Sequence, residues 1–316
     1  MALTPRPSPT AALTLGPLLF NWPARQRRDF YFRMADEAPV QAVCLGEVVC
    51  GKREPFVAAD LPVVAARLRR AGKQVLWSTL ALVTEARDRA SLRATLALAE
   101  DAAGDLVEAN DLGAVAVLTG RPHAIGPYVN VYNEGTLDHL VRGGARRVVL
   151  PFEVPAPSIR ALAAAAGPAE LEVQVFGRTP LAISARCYHA RALGRSKNSC
   201  DFVCGLDADG MAVETLDGQP FLAINGTQTL SHTIGNLAGE VPALLAMGVR
   251  RFRLSPHHLD MVAVAETFRA VLDGRMAGAD AHVRLAELAP FAPFANGFFH
   301  GREGAAQIGP GATMSD

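Results

Sequence analysis

The sequence has no surplus of charge of either sign. Lysine plus arginine and aspartate plus glutamate each number 31, a formal net charge of zero. That withholds the electrostatic footprint of a nucleic-acid binder, although a local basic patch stays compatible with it. No apolar stretch approaches the roughly 18 residues of a membrane-spanning helix. Residues 1–10 lack an apolar core followed by a small-residue cleavage site, so they are not read as a secretory signal. No G-x-G-x-x-G follows a strand-like run, which weakens a dinucleotide-binding reading. Neither G-x-S-x-G nor H-E-x-x-H occurs, so the serine-hydrolase and zinc-protease readings have no motif to rest on. Cysteine is scarce, five in 316 residues, an odd and unevenly clustered number. In a cytoplasmic protein, the expected location, that pattern favours metal binding or redox chemistry over a disulfide framework.

What is present is a chain 50% hydrophobic and 20% charged, with ample length to bury a core. Residues 1–12, rich in Pro, Ser and Thr, are expected to form a disordered extension. Residues 13–316 read as a single domain. Strand-like runs fall at 13–20, 40–45, 75–80, 105–109, 114–118, 128–131, 148–150, 171–176, 221–225 and 251–254. Helical spacing occupies 25–35, 61–72, 85–103, 133–142, 159–166 and 256–274. This rhythm signals βαβ units and a parallel sheet. Roughly seven or eight of these runs alternate with helices between Leu13 and Ser255, which predicts an α/β fold of the (β/α)8 TIM-like barrel type, incomplete or distorted. The rhythm breaks at 187–219, which reads as an inserted Cys-bearing loop held by metal. An aromatic tail, with Phe291, Phe294, Phe298 and Phe299, is expected to pack back onto the body.

Three of the five cysteines, Cys187, Cys200 and Cys204, follow the spacing C-x12-C-x3-C. Cys50 lies beyond the end of an early strand and Cys187 beyond a late one. In a parallel barrel the C-terminal ends of all strands share one face, so the four thiols can meet there. Four thiolates suit an iron–sulfur cluster or structural zinc. Only Cys200-x3-Cys204 resembles a zinc knuckle, which favours iron–sulfur. The alternative, that these are small buried hydrophobes, fits Cys44 inside Ala42-Val43-Cys44-Leu45, so Cys44 is left out.

Two blocks together, L-G-E-x-x-C-x-K-R over Leu45–Arg53 and S-A-R-C-x12-C-x3-C from Ser184, resemble the UbiV family of the collagenase-like peptidase superfamily. Further matching pieces are Leu15-Gly16-Pro17, Trp22-Pro23, Ser78-Thr79-Leu80, Glu108-Ala109-Asn110, Asn225-Gly226-Thr227-Gln228, Arg253-Leu254-Ser255-Pro256 and Asn296-Gly297-Phe298. The resemblance implies a 4Fe–4S cluster on Cys50, Cys187, Cys200 and Cys204. It implies pairing with a homologous UbiU-like subunit as a heterodimer, and a lipid-binding accessory protein. It implies a part in oxygen-independent hydroxylation of a ubiquinone ring precursor, with prephenate as oxygen donor, and no protease activity. Residues 1–12 have no counterpart in the family pattern, and a cysteine that some relatives carry just before Cys204 is missing.

Other residues carry two readings each. Glu47, Lys52 and Arg53 flank Cys50 as solvated loop charges; in the other reading Lys52 and Arg53 form a cationic rim for a dicarboxylate or tune the cluster potential. Arg186 beside Cys187 has the same two readings. His189, two positions from Cys187, reads as a surface loop histidine or as a functional group. His257 and His258 are adjacent and point apart, so joint ligation is disfavoured. Asn225 and Gln228 end a strand on the presumed active face, where they either bind a ring substrate or close a turn. Two rival functions stand beside the quinone reading. One is an RNA-base hydroxylase of the same superfamily, against which the neutral charge speaks. The other is a zinc-stabilised scaffold without catalysis.

Overall fold

A computed structural model of the chain describes residues 11–100 and 104–309. Strands β1 (Ala12–Leu15), β2 (Ala42–Leu45), β3 (Gln74–Ser78), β4 (Leu106–Ala109), β5 (His123–Ile125), β6 (Ala145–Val149) and β7 (Glu170–Ile183) follow one another around a parallel sheet. A later strand, β11 (Arg251–Leu254), pairs with both β7 and β1 and closes an eight-stranded parallel barrel. Helices between the strands ring it: α1 (Ala24–Asp36), α2 (Glu54–Ala58), α3 (Leu61–Arg70), α4 (Ala86–Glu100), α5 (Leu112–Leu118), α6 (Glu134–Arg142) and α7 (Ala156–Ala165). Among the described residues no helix is long and apolar enough to cross a membrane.

The outward face of the barrel is apolar. Leu13, Leu15, Val43, Leu45, Val75 and Trp77 pack against helix residues such as Met34, Val64 and Leu68 in one continuous core. The inward positions alternate with these and are largely polar. Arg253 lies between Glu172, Nε to Oε1 at 2.5 Å, and Glu108, all three buried. Thr14 and Ser78 donate to Glu172 and Glu108 at 3.3 and 3.1 Å, and Arg147 approaches Glu172 at 3.6 Å. A barrel interior is usually filled by branched apolar side chains; here ion pairs fill much of it.

The long strand β7 does two jobs. Up to Phe176 it belongs to the barrel; beyond, it runs antiparallel to β10 (Gln228–Asn236). With β9 (Pro220–Asn225) and β8 (Met211–Glu214), β10 builds an antiparallel extension over the barrel's C-terminal face. Helix α8 (Tyr188–Ala192) opens this insertion, and α9 (Val241–Ala246) leads back to β11. Helices α10 (Met261–Leu272) and α11 (Gly278–Leu288) complete the ring, and β12 (Phe294–Ala295) pairs with β10.

Several sequence expectations differ from this picture. Residues 114–118 form α5, not a strand: the Asp111 side chain caps the helix by accepting the Gly113 N–H. Residues 128–131 are not a strand either; a 3-10 turn over Pro127–Val129 ends at Asn130 in the left-handed region, with φ of 63°. The strand of that unit is β5, three residues long. The apolar runs 171–176 and 181–184 are one strand. The helix expected from 256 starts at Met261, where the Asp260 carboxylate takes the Val262 and Ala263 N–H groups. Of the tail, Phe294 and Phe299 are buried in the core, while Phe291 is 45% exposed. The expected extension over 1–12 lies outside the described residues except for Ala11 and Ala12, and Ala12 is already the first residue of β1.

Candidate functional site

Behind β2 the chain turns sharply at Gly46, whose φ of +126° and whose approach to Ser78 leave no room for a Cβ. The buried Glu47 carboxylate then accepts the N–H groups of Val49 and Cys50 at 2.8 and 2.9 Å. This cap shapes the Cys50 loop, which gives Glu47 a framework position. Burial pushes the Glu47 carboxyl up, against the pull of Arg53, whose Nη1 lies 4.0 Å away.

Arg53 is 1% exposed. Its guanidinium donates to the Leu19 carbonyl and to Asn225 Oδ1, both at 2.9 Å. Burial works against its charge, but Glu47 and the Cys204 and Cys50 sulfurs outweigh that and hold it charged. Room for it comes from Gly226 in the β9–β10 turn: a Cβ there would stand 2.6 Å from Arg53 Nη2, and φ is +63°. The same turn stitches the site. Thr227 Oγ1 donates to the Val49 carbonyl at 2.9 Å, and the Thr227 carbonyl accepts Ser184 N–H at 3.1 Å.

The other three cysteines lie in the insertion. Cys187 is the N-cap of α8, its Sγ accepting the Ala190 N–H at 3.4 Å. Cys200 precedes Asp201 and Phe202, two consecutive non-glycine residues with positive φ. Such strain persists only where surrounding structure fixes it. Cys204 sits in the 3-10 turn that follows, and Asn21 Nδ2, from the loop after β1, approaches its Sγ at 3.7 Å. Cys187, Cys200 and Cys204 are all 9% exposed or less; Cys50 is partly buried. Lys52 bridges the two cysteine loops. Its Nζ donates to the Lys197 carbonyl at 2.7 Å and reaches Cys200 Sγ at 3.4 Å, over the Phe202 ring.

Thiols from two loops far apart in sequence are thus drawn to one buried cation: Cys50 and Cys204 act on Arg53, Arg53 and Cys200 act on Cys187, and Lys52 meets Cys200. Among the described residues no three Cys, His, Asp or Glu side chains stand close enough to chelate a single metal ion. The Cys50 and Cys187 thiols are pushed up, in each case first by burial. Cys44 is wholly buried in the barrel interior, 3.9 Å from Glu108.

Of the remaining sequence candidates, Asn225 is buried and donates to the Leu19 carbonyl at 2.7 Å. Gln228, also buried, donates to the Tyr128 hydroxyl at 2.8 Å. Arg186 is exposed. His189 is buried rather than on the surface, its Nε2 2.9 Å from Asp207. His257 binds Asp209 through Nδ1 at 3.0 Å, whereas His258 lies edge-on to Trp22, so the two rings do point apart.

Two contributors went unread in the sequence, Asn21 and Tyr128, whereas the turn Gly226-Thr227 lies in the Asn225–Gln228 piece already singled out. Asn-Gly between two strand-like runs is a hairpin signal, so the turn was readable. Tyr128 belongs to a second feature, a cavity of ≈ 330 Å³ at the barrel mouth, bounded by residues after β3, β5 and β6 and by the outer part of β7. Tyr128 and Ala81 of its wall pack in one apolar cluster with Cys50.

A solved structure reported as "The Structure of the U32 Peptidase Mk0906" is similar at 15% sequence identity, with a TM-score of 0.45 over 81% of this chain and 96% of that one. The family described as Peptidase family U32 matches residues 30–309, a span that takes in all four thiols of the site. The chain belongs to peptidase family U32.

Proposed function

We propose that this chain is the iron–sulfur subunit of an oxygen-independent hydroxylase acting on a ubiquinone ring precursor. In this reading Cys50, Cys187, Cys200 and Cys204 hold a 4Fe–4S cluster. A homologous UbiU-like subunit is its partner in a heterodimer, a lipid-binding accessory protein attends it, and prephenate supplies the oxygen. The observation that carries the proposal is the convergence of the Cys50 loop and the 187–204 loops on Arg53, bridged by Lys52.

The residues fit such a group on three counts. The donor set is all thiol, the ligand type of iron–sulfur clusters. Each of Cys187, Cys200 and Cys204 also faces an N–H donor, from Ala190, Lys52 and Asn21. Such donors stabilise thiolate charge and set a cluster's potential. Arg53 supplies the buried positive charge that several thiolates in one place require. When bound, the cluster supplies one-electron redox chemistry.

The protein residues divide the remaining work. Glu47 and Gly226 fix the two turns, Lys52 locks one loop to the other, and Arg53 offsets charge. A cysteine-peptidase reading finds less support. A nucleophilic thiol needs a neighbouring base such as histidine, whereas the side chains that meet these thiols are Lys52 at Cys200 and Asn21 at Cys204.

The test is the iron and acid-labile sulfide content of anaerobically purified protein, alone and co-expressed with its homologous partner. About four of each per chain is expected for a 4Fe–4S site. One zinc per chain with no sulfide would reject the proposal in favour of a scaffold.

A further inference from the structure

The barrel-mouth cavity stands apart from the thiols yet shares a wall with them. It lies where the loops after parallel strands meet, the face on which barrels of this type bind small molecules. Its ≈ 330 Å³ is at the small end for a ligand site. Tyr128 and Phe152 form an aromatic corner, ring centroids 6.2 Å apart and inclined at 64°. Pro127, Pro151 and Pro180 add rigid apolar surface. No lysine or arginine lines the cavity, which argues against a dicarboxylate ligand. Its one charged group is Glu153, at the exposed rim.

Glu153 already receives a phenol. The Tyr132 hydroxyl donates to its Oε1, and the Tyr132 pKa is pushed up to about 12 by burial and by this bond. A carboxylate has lone pairs for further donors. The protein thus displays how a phenolic hydroxyl is recognised at this rim.

The cavity is also wired to the thiol site. Tyr128 accepts from Gln228 Nε2 at 2.8 Å; Gln228 Oε1 accepts from Asn225 Nδ2 at 3.3 Å; Asn225 Oδ1 accepts from Arg53 at 2.9 Å. Gln228, Asn225 and Arg53 are each 1% exposed or less. A ligand that shifts Tyr128 therefore disturbs Arg53, the cation on which Cys50 and Cys204 act.

We propose that this cavity binds a planar aromatic ring bearing a hydroxyl, seated against Tyr128 and Phe152, with the hydroxyl donated to Glu153. Tyr128, Gln228 and Asn225 are positioning residues that tie its occupancy to Arg53. The inference rests on the quinone-precursor reading only for the identity of the natural ring; binding itself requires no iron.

The probes are 4-propylphenol and its methyl ether, titrated by calorimetry into the anaerobically purified full-length protein, with iron assayed on the same samples. The phenol is expected to bind saturably and about tenfold more tightly than the ether, the worth of a charge-assisted hydrogen bond. Ala182→Trp, which fills the cavity from β7, is expected to weaken phenol binding at least about tenfold. Glu153→Ala, at the exposed rim where folding is not at stake, should erase the preference for phenol over ether. Equal affinity for the two probes, no saturable binding, or an unchanged preference in Glu153→Ala overturns the assignment. Phenol-selective binding by iron-free protein upholds the cavity while the cluster reading fails; iron-replete protein blind to the phenol does the reverse.

Discussion

Lys52 and Cys200 are 148 residues apart in sequence and 3.4 Å apart in space, Nζ to Sγ. Because the same Nζ also holds the Lys197 carbonyl, one side chain closes the late cysteine loop onto the early one. Lys52→Met keeps the stem and removes all of these donors. Together these partly buried bonds are worth about 1–2 kcal/mol, so the loop should open about tenfold more often. The expected outcome is a correspondingly faster alkylation of Cys200 by iodoacetamide in metal-free protein, read by peptide mass spectrometry. An unchanged rate would show that Lys52 does not hold the loop.

Cys187 has two separable duties. As the N-cap of α8 it accepts a backbone N–H, and as a thiol it is a proposed ligand. Serine is a strong N-cap but a poor soft ligand. Cys187→Ser is therefore expected to retain the thermal midpoint of the metal-free protein and to lose most of its iron. Cys187→Ala should lose iron to the same degree and also about 1 kcal/mol of stability. Wild-type iron content in the serine variant would remove Cys187 from the ligand set.

The barrel was readable because its strands are short Val, Leu and Ile runs at regular intervals, and because parallel strands bring remote loops to one face. The same letters misled at 114–118, where the Asp111 cap turned an apolar run into a helix. Strand β5 escaped notice because it is three residues long and starts with a buried histidine, His123. The thiol spacing was visible. The partners of those thiols were not: Asn21 meets Cys204 across 183 residues, and Tyr128 meets Gln228 across 100. Nothing local marks such pairs. The inward ion pairs were hidden differently. Glu108, Glu172 and Arg253 each sit between apolar neighbours in a strand, and only closure of the barrel shows that they face one another.

That interior makes a stability prediction. Burial pushes the Glu172 carboxyl up, but Arg253 and Arg147 outweigh it and hold it below the usual range. Removing one partner of a buried pair leaves an uncompensated charge, at a cost of about 3–5 kcal/mol. Arg253→Met is expected to lose that much in urea unfolding at neutral pH. The pH dependence should also change sign. In the wild type, the stability from Glu172 is present above its unfolded pKa, near 4.3, and is lost as pH falls through its folded pKa. In the variant, burial dominates, so stability falls as pH rises through the carboxylate range. A variant as stable as wild type at pH 7 would contradict the arrangement.

His257 predicts a second pH effect, at higher pH. Its ring is wholly buried, Nε2 accepts the Arg178 N–H at 3.0 Å, and Nδ1 faces Asp209. That pattern needs the neutral imidazole, since a protonated ring has no acceptor for Arg178. Burial holds the His257 pKa below its ordinary value, against the pull of Asp209. A depressed folded pKa means that the unfolded chain takes up the proton first. The stability it contributes is complete above about pH 6.5, the unfolded value, and is lost as pH falls towards the folded pKa, by up to about 1.4 kcal/mol per unit. His123 and His189, also lowered by burial, act in the same sense. Urea midpoints of the wild type should therefore fall between pH 7.5 and 5.5. His257→Gln keeps a donor and an acceptor but cannot titrate, so it should flatten that fall by the share of one histidine. A slope identical to wild type in the glutamine variant would mean that His257 is not the group whose protonation the fold resists.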